Sequence, residues 1–69
     1  MKNTLKVERA KVNLTQADLA ERVNVSRQTI NSIELGKYMP STLLALKIAA
    51  IFSVGVNDIF ALEPEDWKS

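Results

Sequence analysis

The sequence predicts an all-α domain of five short helices. Thr15, Ser26 and Ser41 each stand as an N-cap ahead of a segment with helical apolar spacing. Asn24 and Gly36 stand where two of those segments end, in residue types that enter left-handed conformations cheaply. Residues 42–52 are apolar on nearly every side, as a helix covered on more than one face would be. With 69 residues the chain is one domain, and a domain this small buries only roughly 60% of its unfolded surface. Help from a partner subunit is therefore expected.

The first helix should begin near Leu5, with Asn3 or Thr4 as its cap and residues 1–3 frayed. Leu5, Val7, Ala10 and Val12 alternate with charged residues, which suits a helix lying along the surface. Asn13 turns the chain, and Leu14 pins that turn into the core. The second helix starts near Gln16, where Thr15 and Asp18 occupy the two positions of a reciprocal capping box. Ala17, Leu19, Ala20 and Val23 form its apolar face. After the turn at Asn24–Val25, Ser26 caps a third helix that runs to about Leu35. Ser41 follows Pro40 and caps the fourth. Val56 to Ala61 is expected as the fifth, with Ile59 and Phe60 facing inwards, and Pro64 stops any continuation. Trp67 is a large apolar residue among charges, expected to cover its own domain or to cross a twofold axis.

Two helices joined by a tight turn over residues 16–35 are the grammar of a helix-turn-helix. With Ile30 and Ile33 placed on the core side, the opposite direction of the third helix carries Gln28, Asn31, Ser32 and Leu35, with Arg27 beside them in the first turn. These are side chains suited to DNA bases. Gln28 can pair bidentately with adenine, Arg27 can take guanine or a phosphate, and Asn31 and Ser32 can reach bases directly or through water. Leu35 would touch a thymine methyl or a sugar, or is merely tolerated there. Thr29 is more lateral and suits a phosphate or a thymine methyl. Gln16 lies where a helix N-terminus offers a phosphate free N–H groups, a positive dipole end and an amide side chain.

Taken together, Leu14-Thr15-Gln16, Val25 through Ile30, Ile33-Glu34, Gly36-Lys37-Tyr38, Pro40-Ser41, Leu44 through Ala49 and Ile59-Phe60 resemble the Cro/C1-type (XRE-like) helix-turn-helix regulators. The resemblance spans about residues 5–60 and implies a five-helix, lambda-repressor-like DNA-binding domain followed by a tail at 61–69. It also implies that Lys37 and Tyr38 contact phosphates, that Gln16 contacts the backbone and braces the reading helix, and that Arg9 pairs with Glu34. Read from residues alone, Arg9 is equally an exposed or phosphate-contacting side chain. In relatives similar to the cytolysin-operon repressor, a β-segment after the fifth helix pairs across a homodimer. Ala61 to Glu63 and Trp67 are the matching positions here.

Charge distribution agrees with that reading. Eight basic residues face four acidic ones through Lys47, a net +4, whereas one faces four beyond it, a net −3. Cysteine and histidine are both absent, which excludes disulfides, zinc fingers, thiol catalysis and any Ser-His-Asp arrangement. No enzyme, metal or cofactor is implied. No segment approaches a membrane span, and MKNTLKVERA has no apolar core of signal-peptide length, so the cytoplasm is the expected location. The expected activity is that of a homodimeric repressor binding a palindromic operator in double-stranded DNA. The other class compatible with the sequence is an antitoxin or adaptor that grips a partner protein through the apolar fourth helix and acidic tail.

Overall fold

A computed structural model describes residues 1–68; Ser69, the last position of the expected tail, lies outside the described residues. Four helices and a two-stranded sheet follow in the order β1 (Lys2–Asn3), α1 (Leu5–Lys11), α2 (Gln16–Val23), α3 (Arg27–Glu34), α4 (Thr42–Ile51) and β2 (Phe60–Ala61). Single 3-10 turns lie at Val56–Asp58 and Pro64–Trp67.

Three helices start with the same device. The side chains of Thr15, Ser26 and Ser41 accept from the backbone N–H of Asp18, Thr29 and Leu44 at 3.0–3.1 Å, and Asp18 returns the bond to the Thr15 N–H at 3.2 Å. For α1, the Oδ1 of Asn3 accepts from the Leu5 N–H at 3.1 Å, while Thr4 stands at the cap position without a side-chain bond into the helix.

All four helices also end alike. The residue after the last turn is left-handed in each: Asn13 at φ 55°, Asn24 at 60°, Gly36 at 75° and Ser53 at 55°. The next N–H then reaches back five residues, from Leu14 to Arg9, Val25 to Ala20, Lys37 to Ser32 and Val54 to Ala49, at 2.9–3.1 Å. This is the Schellman closure, which usually adds an apolar contact from that same residue. Leu14, Val25 and Val54 pack against the core accordingly. At the end of α3 the residue is Lys37, and it is exposed.

The core is built from Leu5, Leu19, Ile30, Ile33, Ile48 and Ile59, each at most 2% exposed, with Ala20, Val23, Leu44, Ala49 and Phe60 around them. Ala17, expected on the inner face of α2, is exposed, because it lies about 200° around the helix from Leu19. On α4 only Leu44, Ile48 and Ala49 turn fully inwards, and Leu43, Leu46 and Ala50 face out. The expectation of cover on more than one side is not met within one chain.

The expected fifth helix is replaced by a 3-10 turn and a strand. Asp58 Oδ2 accepts from the Gly55 N–H at 2.8 Å and closes the single turn Val56–Asp58. Beyond it the backbone extends, and β2 pairs antiparallel with β1 in the register Lys2 with Ala61 and Asn3 with Phe60. The Thr4 N–H donates to the Ile59 carbonyl at 2.9 Å and extends the pairing. Residues 2–3 are thus a strand rather than a frayed end, and the β-segment pairs within its own chain. β-Branched and aromatic residues at Val54, Val56, Ile59 and Phe60 favour this extended path over a helix.

The tail folds back through charge rather than through its tryptophan. The Met1 amine meets Asp66 at 3.0 Å and Glu63 at 3.1 Å, and Trp67 is left 76% exposed.

Candidate nucleic-acid interface

Packing of α2 against α3 is the most extensive contact between helices, and it turns one face of α3 outwards. Arg27, Gln28 and Asn31 are exposed on that face, Ser32 is half-buried, and Leu35 stands exposed at its end. No hydrogen bond or ion pair engages the side chains of Arg27 or Gln28 among the described residues, so both ends of the Gln28 amide are available. The Thr29 hydroxyl is 2.9 Å from that of Ser26, which ties it to the helix cap.

Tyr38 lies across a shallow depression from Gln28, Thr29 and Ser32. Its N–H and that of Lys37 both donate to the Ser32 carbonyl, at 3.2 and 2.9 Å. The loop is therefore bonded to the helix it flanks. A second depression runs from Thr29 and Tyr38 to Ser41 and Lys47. Lys47 is exposed and was not singled out from sequence. The signal for it was a lone cation on an otherwise apolar helix, but its direction depends on how α4 is rotated. Arg27, Lys37 and Lys47 supply positive charge around the polar face.

Behind the face runs a hydrogen-bond network. The Arg9 guanidinium grips Glu34 through both Nε and Nη2, the latter at 3.1 Å, and its Nη1 donates to the Leu14 carbonyl at 2.9 Å. The two side chains are only 14% and 6% exposed. The hydrogen bonds to Glu34 raise the arginine pKa further above its ordinary value, against the opposing cost of burial. Glu34 Oε1 also accepts from Gln16 Nε2 at 3.0 Å, and the same nitrogen donates to Asn31 Oδ1 at 3.1 Å. Both amide hydrogens of Gln16 are spent inside the protein. What α2 still offers a phosphate is the backbone N–H groups of its first turn that the cap leaves unbonded.

Among the described residues there is no group of His, Cys, Asp or Glu able to hold a metal ion, and no helix is long and apolar enough to cross a membrane.

Capped helices, a turn between them and an outward polar face together define a helix-turn-helix protein, and comparison with known proteins gives the family. The helix-turn-helix family model matches residues 5–59. An uncharacterised HTH-type transcriptional regulator of Methanocaldococcus jannaschii is 58% identical over 66 residues, covering 96% of this chain and 100% of the relative. The uncharacterised HTH-type transcriptional regulator YgzD of Bacillus subtilis is 50% identical over 66 residues, with the same coverage of 96% and 100%. A third relative of that description, from Archaeoglobus fulgidus, is 48% identical across 99% of this chain and 97% of its own length. The chain belongs to the XRE-like helix-turn-helix regulators, a DNA-binding and non-enzymatic family.

Proposed function

We propose that this protein is a sequence-specific transcriptional repressor that acts in the cytoplasm as a homodimer on a palindromic operator in double-stranded DNA. The observation that carries the reading is the unengaged Arg27 and Gln28 on an outward face of α3 whose rear is held by the Arg9–Glu34–Gln16 network. Arg27, Gln28, Asn31 and Ser32 read base edges in the major groove. Thr29, Lys37, Tyr38 and the first turn of α2 at Gln16 hold phosphates, and we add Lys47 to that set. Residues 5–60 form the reading unit and 61–69 the tail that serves the dimer. Occupancy of promoter DNA is the mode of repression.

A second copy of the chain is favoured by the apolar surface that one copy leaves uncovered. Met39, Leu46 and Leu62 border an open groove of about 560 Å³ on the side of Phe60 and Ala61. The 34 Å long dimension of one chain is comparable with the spacing of successive major grooves, about 34–36 Å.

Selection of binding sites from a random duplex library, with light scattering on the enriched complex, tests the reading. Two half-sites about one helical turn apart, bound by two chains, is the expected result. Absence of any enriched motif would overturn it.

A further inference from the structure

The network behind α3 has a direction, set by charge. A guanidinium offers only donors and a carboxylate only acceptors, so the Arg9–Glu34 pair leaves Glu34 Oε1 as an acceptor facing Gln16. At 3.0 Å that oxygen can be met by the Gln16 amide nitrogen but not by its oxygen. The same nitrogen carries a second hydrogen, and the Asn31 atom 3.1 Å away must therefore be an acceptor, Oδ1. An amide oxygen and nitrogen are nearly the same size, and this chain of charges decides which of them is turned away from Gln16. For Asn31 it is the nitrogen.

We infer that the Arg9–Glu34–Gln16 chain fixes Asn31 as a hydrogen-bond donor toward the base pairs, and so selects which base edge Asn31 accepts. Guanine N7 and O6, adenine N7 and thymine O4 present acceptors in the major groove, whereas cytosine presents only its N4 donor. Asn31 therefore discriminates against cytosine at one operator position and favours the three bases that offer an acceptor. Gln28 is under no such constraint, since nothing engages its amide among the described residues. Gln16 is a positioning residue in this scheme, acting on the base through Asn31. The inference rests on the DNA reading proposed above for α3.

Binding-site selection with wild type, Asn31→Ala, Asn31→Asp and Gln16→Ala separates the two ideas, with thermal melting to show that each variant is folded. Asn31→Ala maps the position. There the wild type should deplete cytosine roughly tenfold relative to the other bases, the effect of one hydrogen bond to a base. Asn31→Asp keeps the bond from Gln16 but presents an acceptor outwards, and should shift the preference toward cytosine and adenine, which offer amino donors. Gln16→Ala releases the amide to turn over, so the ratio at this position should fall toward one, whatever happens to affinity for DNA in general. Cytosine preferred by the wild type, Asn31→Ala altering no position, or Gln16→Ala weakening all sequences with the ratio intact would each overturn the inference while leaving operator reading standing. A wild type that enriches no motif would overturn the DNA reading itself, and this inference with it.

Discussion

Gln28 on α3 and Lys37 in the loop that follows, nine positions later, would meet DNA with different chemistry. A free amide distinguishes bases, whereas an ammonium at the end of a Schellman closure meets phosphate of any sequence. Gln28→Ala should accordingly cost about 1–3 kcal/mol at one operator position and relax specificity there. Lys37→Ala should weaken operator and scrambled duplex alike and lower the slope of log affinity against log salt by about 1. Fluorescence anisotropy across a salt series measures both, and equal losses for Gln28→Ala on the two duplexes would remove its base-reading role. At this scale much was legible. Asn13, Asn24 and Gly36 announced left-handed backbone by residue type, and Thr15, Ser26 and Ser41 announced caps. The bond from Gln16 to Asn31 was not, because it joins side chains from two helices whose relative rotation no local spacing encodes.

Among the elements, α2 depends most visibly on ionisation. The Asp18 carboxyl is held below its ordinary value of 3.8, first by the Thr15 hydroxyl and then by the Thr15 backbone N–H. A carboxyl whose pKa is lowered on folding stabilises fully above its unfolded value and loses that stabilisation as pH falls through the folded one. Urea unfolding of wild type and Asp18→Asn should therefore show a constant difference above about pH 5, shrinking progressively in more acid solution. A difference that does not change with pH would sink the assignment. The helices themselves were readable because caps and apolar spacing are local. The sheet was not, since strands of two residues have no alternation to detect and their partners lie at opposite ends of the chain. Ile59 and Phe60 face inwards whether the backbone is helical or extended, so their apolar character could not decide between the two.

For the molecule as a whole, the apolar surface beside α4 is the feature one chain does not explain. Leu46 is 53% exposed at its edge, so Leu46→Glu should leave the fold intact while placing a charge where a second copy would sit. Dimer dissociation should rise by tenfold or more, roughly the loss of 1.5 kcal/mol expected when one leucine is no longer buried. Sedimentation equilibrium measures this directly. A monomer–dimer equilibrium identical to that of wild type would move the interface elsewhere. Operator affinity should fall in parallel, because half a palindrome makes half the contacts.

The pairing of β1 with β2 also bears on how the protein is made. Every helix cap and closure joins residues at most five positions apart, so the reading head can begin to form while later residues are still being added. The last two core side chains, Ile59 and Phe60, and the strand that pairs with Lys2 and Asn3 emerge only after all four helices. Until then Lys2 and Asn3 have no strand partner, and the closure that joins β1 to β2 spans nearly the whole length of the fold, at a larger entropic cost than any helix closure. Pairing of β1 with β2 can thus form only after Ala61 has cleared the ribosome.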